Sequence, residues 1–475
     1  MIYFLMNLDR YDHVMDAIML WGTVAMLLFL AIAIPSRAML EHFPLNSGLR
    51  LASKKKAHGI IFGYALPFII AHSPADREGH AIVFGGSGSG KTSAVLIPTL
   101  RSWYGSGFVV DVSGDIHPNI DRQGKVIFAP MDPSTIHYDV FYEIRRLFDP
   151  ALIEEALRHL SELLMPLPIH ASDSAAFFIK GGRNILCASL VAGYYNYMDF
   201  PDICRKVVDS SWQNLFTWID NSGNNEAISY INSFEGANEK NTAGCKQAVD
   251  EAIMAFARNI HIYNALRRPT SSDICLSARS VKDYLMFVHV PEECLTALSP
   301  LLHLMVAQIL DYIAARPLEE DSQILVALDE FASFGRLDIT QALRTSRKRH
   351  TRIIVLTQSL ADIDLIYGTD ERRSMMDNFA FKVVLSVGDS DSQRYFSQLA
   401  GTVERTKRST TSEGGPFAPK RQTVTTERVP TIEPAKLANL GHYLILYHRA
   451  GYAWLVKNPY YESAKRSFWR FFRKK

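Results

Sequence analysis

The chain has 475 residues, 48% hydrophobic, 11% aromatic and 21% charged; 51 Lys and Arg against 49 Asp and Glu leave a formal charge of +2. That length suggests about three domains at roughly 150 residues each, and the apolar and aromatic content excludes a disordered chain. Five cysteines at 187, 204, 245, 275 and 294, with no CxxC pair, exclude a disulfide scaffold or zinc module, while the near-neutral total excludes a cationic coat but not a local nucleic-acid site.

Ala17 to Ser36 carries no charge and is bracketed by Asp16 and Arg37. About 20 apolar residues span a hydrocarbon core as a helix. A signal peptide has a shorter apolar part behind a basic stretch, whereas Asp9, Asp12 and Asp16 outnumber Arg10 here. The reading is a transmembrane helix over 17–36 within an anchor of residues 1–40. Arg37, Arg50, Lys54, Lys55 and Lys56 follow it, which places the large body in the cytoplasm. Ala57 to Ala75 is weakly polar but holds Gly59, Gly63, Pro67 and Pro74. That density of breakers predicts two short strands, with a second membrane span as the open alternative.

Residues 81–92 read AIVFGGSGSGKT. An apolar strand-like run leads into Gly85, Gly86, Ser87, Gly88, Ser89, Gly90, Lys91, Thr92 and Ser93, a complete phosphate-binding loop opening a helix. Glycines let backbone N–H groups face phosphate oxygens, and the helix N-terminus adds a favourable dipole. Lys91 is placed to reach the β- and γ-phosphates and Thr92 to ligate Mg²⁺. Pro98 is expected to bend or shorten the helix.

From Asp149 to Pro269 apolar residues recur at helical spacing, as in Leu152, Ile153, Ala156, Leu157 and Leu160. This predicts a helical insertion, 149–269, between 41–148 and 270–475. Within it, Ser222–Lys246 is rich in Asn and Gly and reads as an exposed connection. Strands are expected at Phe108–Asp111, Tyr284–Val290, Phe381–Leu385, Tyr443–Tyr447 and Ala453–Val456, and a helix at Leu298–Ile313. Strands alternating with helices argue for a parallel, helix-covered sheet.

Ile324–Leu328 is an apolar run ending in Asp329-Glu330. A buried strand delivers carboxylates at its C-terminal end, where open α/β sheets bind ligands. Asp329 would hold Mg²⁺ and Glu330 would activate water. Arg352–Leu356 ends in Thr357-Gln358, and Gln358 can sense the γ-phosphate; a polar strand cap explains it equally. Arg344, Arg347 and Arg349 lie in the charged run LRTSRKRHTR. This run is either a solvated helix face or the source of an arginine finger for a neighbouring subunit, with Arg347 and Arg349 carried as catalytic candidates.

These motifs together resemble the type IV secretion coupling proteins, the TraG/TraD-type ATPases of conjugation and effector export. The likeness runs through GGSGSGKTS, VVDVSGD (Val109–Asp115), LDEFASFGRL (Leu328–Leu337), TQSLADIDLIYG (Thr357–Gly368), Asp377–Thr402 and Arg428–Gly441. It implies a RecA-like P-loop NTPase domain with an inserted all-α domain and an N-terminal transmembrane helix. It also implies ATP and Mg²⁺ as cofactors and a homo-hexamer at the bacterial inner membrane, single- or two-pass. The implied activity is moving single-stranded DNA or secreted protein, with a relaxase complex and type IV secretion channel components as partners. Three departures stand. Relatives often carry two spans where one is found here, some carry a long C-terminal extension, and Ser113 stands where a lysine is expected.

Two other readings compete: a nucleotide-dependent docking receptor without motor activity, which the intact Asp329-Glu330 pair opposes, and an FtsK-like double-stranded DNA translocase, which would normally add a winged helix. A P-loop kinase fits neither the anchor nor the insertion. Residues 403–428 suggest a flexible hairpin with six cations against three glutamates, a surface loop or a phosphate-contacting one. The C-terminal KRSFWRFFRKK (Lys465–Lys475) mixes six cations with four aromatics and suits single strands, anionic lipid or a docking partner alike.

Overall fold

The computed structural model describes residues 48–168, 171–269, 275–411 and 421–462. The expected membrane helix 17–36, the tip of the 403–428 hairpin and the basic C-terminus lie outside these residues. Strands β1 (Arg50–Ser53), β2 (Ile60–Leu66) and β3 (Ile69–Ser73) open the described chain. β4 (His80–Gly85) leads into a π-helical turn, Thr92–Leu96, and helix α1 (Ile97–Ser102). Helical backbone runs on past Pro98, but the turn before it, Thr92–Leu96, is π-helical and α1 ends after six residues at Ser102, the local disturbance and short run expected of a proline inside a helix. β5 (Ser106–Asp111), β6 (Lys125–Phe128) and the two-residue β7 (His137–Tyr138) follow.

A helical block comes next: α2 (Pro150–Leu164), α3 (Asp173–Tyr195), α4 (Phe200–Asp209), α5 (Trp212–Asp220), α6 (Asn225–Asn232), α7 (Glu239–Arg258) and α8 (Ile260–Leu266). The expected exposed connection over 222–246 is exposed for most of its length, but only 222–224 and 233–238 lie outside helices; the rest is α6 and the first part of α7. Two of the asparagines that suggested a loop, and a third beyond it, are helix caps. Asn224 accepts from the Ala227 N–H, Asn238 from the Lys240 N–H, and Asn259 from His261 and Ile262, satisfying donors that a helix start leaves orphaned. β8 (Cys275–Leu276) pairs with β7, so one short bridge ties both ends of the block.

The remaining elements are β9 (Leu285–His289), α9 (Leu295–Ala315), β10 (Ile324–Leu328), α10 (Ile339–Thr345), β11 (Thr351–Thr357), α11 (Leu360–Asn378), β12 (Phe379–Ser386) and α12 (Ser390–Leu399). After them come β13 (Thr402–Thr411), β14 (Arg421–Pro430), β15 (Tyr443–His448) and β16 (Gly451–Val456). β13 and β14 pair only with each other, as an antiparallel hairpin.

Twelve strands form one sheet in the order β1-β3-β2-β16-β15-β12-β4-β11-β10-β5-β9-β6. From β12 to β6 every pairing is parallel. From β12 outward through β15, β16, β2, β3 and β1 every pairing is antiparallel. The expected parallel, helix-covered sheet is therefore corrected to a mixed one, parallel in one half only. The parallel strands are covered on both faces, as such strands require. Successive side chains alternate between two cores: Ile324, Val326 and Leu328 join the core shared with the helical block, while Leu325 and Ala327 join the core under α1 and β1–β3. Two described segments, Asp173–Tyr195 and Glu292–Ala315, are long and apolar enough to cross a membrane, and half of each apolar window is buried in the body.

Candidate nucleotide-binding site

Four neighbouring strands, β4, β11, β10 and β5, end side by side at one edge of the sheet. The loop after β4 is shaped by its glycines. Gly88 and Gly90 have φ of 70° and 97°, a region that costs other L-residues about 1–2 kcal/mol. A Cβ on Gly86 or Gly88 would meet nothing within 4 Å, so the loop's outer face is open. Lys457, which follows β16, donates from Nζ to the Ser89 carbonyl at 2.9 Å. It braces the loop from 368 residues away in sequence, and no local signal marks it.

Lys91 is buried and its ammonium donates to the Gly85 carbonyl at 2.7 Å. It also lies 3.8 Å from the Glu330 carboxylate. Thr92 Oγ1 donates to Asp329 Oδ2 at 3.4 Å, and Gln358 Nε2 donates to Glu330 Oε2 at 3.4 Å. The structure thus brings together five residues from three separate stretches of chain: Lys91, Thr92, Asp329, Glu330 and Gln358. Asp329 is 3% exposed, and burial with the neighbouring Glu330 charge pushes its pKa up to about 7 despite Lys91. Glu330 has φ 50° and ψ 48°, left-handed for a non-glycine residue, a conformation that persists only when surroundings impose it. Two hydroxyls, Ser89 Oγ and Thr357 Oγ1, are buried here without a hydrogen-bond partner.

The arginine run falls elsewhere. Arg344, Arg347 and Arg349 precede β11, whose start is about 20 Å from its P-loop end at 3.3 Å per residue. Arg344 donates to Ser374 Oγ at 2.9 Å. Arg349 donates to the carbonyls of Arg316 and Thr345, each at 2.9 Å. Arg347 stands on the same turn, Ser346–Arg349. None of the three lies at this chain's own P-loop edge.

Asp111, at the end of β5, carries no local signal of a role. Asp111 is fully buried and organises the loop that follows. Its carboxylate accepts from the N–H groups of Gly114, Ile116 and His117 at 2.8, 3.1 and 2.8 Å, and meets His117 Nδ1 at 2.7 Å. Its charge also contributes to raising the Asp329 pKa. Ser113, the departure from the expected lysine, accepts from the Asp115 N–H.

Divalent cations such as Mg²⁺ take oxygen ligands. The Thr92 hydroxyl and the Asp329 carboxylate are such ligands, already in contact, and a buried carboxylate whose ionised form lacks compensation is a suitable partner for a cation. The residues present fit Mg²⁺. An open, glycine-shaped loop with a lysine and a helix behind it fits a nucleotide's phosphates.

The sequence model of the family described as "Type IV secretory system Conjugative DNA transfer" matches residues 57–452. The chain is 22% identical over 395 residues to the protein VirD4 of Agrobacterium fabrum, covering 76% of this chain and 55% of that one. It spans about half the length of the curated relatives it matches. Among solved structures it resembles the bacterial conjugative coupling protein TrwBdeltaN70 in complex with sulphate, with TM-score 0.65 and 19% identity over 89% of this chain and 97% of that one. It also resembles the plasmid coupling protein TrwB in complex with ADP and Mg²⁺, with TM-score 0.61 and 19% identity over 81% and 86% of the two chains. These likenesses show the fold: a RecA-like α/β architecture with a helical domain.

Proposed function

We infer the function from one premise: the chain belongs to the type IV secretory system conjugative DNA transfer family. On that premise we propose a membrane-anchored, ATP-hydrolysing coupling protein. It would recruit single-stranded DNA, secreted protein or both, and drive them into a type IV secretion channel as a homo-hexamer. The observation that carries the reading is the convergence of Lys91, Thr92, Asp329, Glu330 and Gln358 at one sheet edge. A receptor that used nucleotide only for assembly would have no use for a carboxylate held in a left-handed backbone beside the phosphate lysine.

In this reading the glycine loop, 85–90, wraps the phosphates with its N–H groups, and Lys91 exchanges the Gly85 carbonyl and Glu330 for phosphate oxygens. That exchange frees Glu330 to accept a proton from the attacking water, with Gln358 orienting the pair. Thr92 and Asp329 would hold Mg²⁺, which supplies charge neutralisation at the phosphates. Lys457 and Asp111 act through position, fixing the P-loop and the adjoining loop. The arginine that completes the site would come from a neighbouring subunit, with Arg347 and Arg349 as its candidates; Arg349 would have to give up two carbonyl acceptors to serve. Residues 149–269 form the inserted domain between 41–148 and 270–475, and residues 17–36 anchor the chain in the bacterial inner membrane with the body in the cytoplasm.

The test is ATP hydrolysis by the full chain in detergent, with and without single-stranded DNA, alongside Lys91→Ala and Glu330→Gln. Hydrolysis stimulated by the strand and lost in both variants is expected. Full activity in either variant, or a wild-type chain that binds ATP without turnover, would overturn the proposal.

A further inference from the structure

Among the described residues, one cluster of metal-ligating side chains stands apart from the phosphate site. Asp111 ends β5 and His289 ends β9, and the two are register partners in the parallel pairing of those strands. His117 reaches them from the loop that Asp111 organises. One ligating atom of each residue lies within 4.8 Å of those of the other two. Asp111 is buried and both histidines are partly buried. The hydrogen bonds decide which nitrogen of each ring is free. His117 Nδ1 meets Asp111 Oδ2 at 2.7 Å, and His289 Nδ1 meets the Asp111 carbonyl at 3.1 Å. Both oxygens are acceptors, so both Nδ1 atoms carry a proton, and in the neutral rings both Nε2 atoms keep a bare lone pair. Among the described residues neither Nε2 has a hydrogen-bond partner.

An imidazole held in this way, with Nδ1–H on a carboxylate or carbonyl and Nε2 bare, is prepared for a metal ion. The spacing agrees. The two ring centres are 5.0 Å apart, and two imidazoles on one tetrahedral ion, with bonds of about 2.1 Å, have ring centres roughly 5 Å apart. Gly114 keeps room beside His289. It has φ 72°, and a Cβ there would lie 3.0 Å from Cε1 and 3.6 Å from Nε2 of that ring. We propose that His117 and His289 bind one divalent transition-metal ion of the Zn²⁺ kind through their Nε2 atoms, with Asp111 as the positioning residue behind both rings. Two nitrogen donors select such an ion over Mg²⁺, which prefers oxygen. Lys91, Thr92, Asp329 and Glu330 are not part of the site, so the proposal stands or falls apart from ATP hydrolysis.

The experiment uses the full chain in detergent, with ADP and Mg²⁺ saturating the P-loop. The probe is Co²⁺, whose visible absorption reports nitrogen ligation, and Zn²⁺ is the competitor. The wild-type chain should bind Co²⁺ and release it to Zn²⁺ but not to excess Mg²⁺. Binding should weaken at least about tenfold in His117→Gln and in His289→Gln, and by about 10–100-fold in Asp111→Asn, which acts through ring orientation. The Co²⁺ band that remains in Asp111→Asn should be shifted, which a loss of loop structure alone would not produce. His261→Gln, on α8, should bind as the wild type does. Melting temperatures without Co²⁺ check that each variant folds, and should Asp111→Asn unfold, the two histidine variants decide. Release of Co²⁺ to Mg²⁺ would put the ion at the P-loop and overturn the proposal. So would unchanged affinity in both histidine variants, or a wild-type chain that binds no Co²⁺.

Discussion

The same parallel strands end in two edges that treat most of their buried polar groups differently. At the edge away from the P-loop, Arg352 is fully buried on β11, and its guanidinium donates to the carbonyls of Gly79, Pro74 and Arg77 and to Ser73 Oγ. Arg316, at the end of α9, donates to Ser322, Glu320, Thr351 and the Arg349 carbonyl. His80 meets the Leu343 carbonyl through Nε2 and accepts the Ile353 N–H at Nδ1. At the P-loop edge Asp111 is likewise saturated, but the groups around the glycine loop are left short. Ser89 Oγ and Thr357 Oγ1 have no partner, Lys91 has one carbonyl for its three protons, and Asp329 is pushed towards neutrality. Buried polar groups that only hold a fold are saturated. Perturbed and unsatisfied ones gather where a ligand is due.

If that contrast is right, variants at the two edges separate activity from stability. The largest effect is expected at the proposed base. Glu330→Gln should lower turnover by about 100-fold or more, and Lys91→Ala comparably, with the denaturation midpoint nearly unmoved. A parallel loss of stability would make these residues structural and erase the contrast. Arg352→Ala should do the reverse. Removing a saturated buried cation strands four acceptors, at a cost on the order of 3 kcal/mol or more. That loss would be read by urea denaturation, while turnover per folded molecule stays close to wild type.

The contrast is also visible in how much the sequence disclosed. The P-loop, the strand before Asp329 and the strand before Gln358 were legible because each is a local run: an apolar strand and the chemistry at its end. The helical block was legible from helical periodicity. The antiparallel half of the sheet was not. The antiparallel β2 and β15 are almost as buried as the parallel β4, so they lack the polar alternation that would have separated them from parallel strands. Asn224 and Asn238 misled for a related reason: a residue that caps a helix also favours loops, and only the following helix tells them apart. Lys457 and the loop organised by Asp111 depend on contacts that no local pattern encodes. The arginine run was legible as charge, but its position at the far edge required the strand direction.

Asp329 sharpens the contrast by sign. Its pKa is raised from 3.8 to about 7 in the fold, so the fold disfavours its ionised form. Below pH 3.8 both folded and unfolded chains carry the proton and nothing is lost. Between 3.8 and 7 the unfolded chain releases the proton first, so stability falls as pH rises, and above 7 the penalty is complete. At 1.36 kcal/mol per pKa unit the ceiling is about 4 kcal/mol. Asp329→Asn should therefore raise the melting temperature of the nucleotide-free chain at pH 8 and lose that advantage towards pH 4, while abolishing Mg²⁺-dependent turnover. A variant that is less stable than wild type at pH 8 would show that the carboxylate is structural.

The smallest effect separates two backbones of nearly the same shape. Glu330 and His350 both have φ 50°, one at each edge. His350 ends the turn Ser346–Arg349, a position where left-handed residues are routine, whereas Glu330 precedes its turn and no helix end calls for that conformation. Glycine adopts φ > 0 freely but loses more entropy on folding, so each substitution should stabilise by at most about 1 kcal/mol. Differential scanning calorimetry on Glu330→Gly and His350→Gly should find small gains of similar size. Turnover should collapse only in Glu330→Gly. Equal turnover in the two variants would mean that the left-handed carboxylate at the P-loop edge has no more to do with catalysis than the histidine at the other.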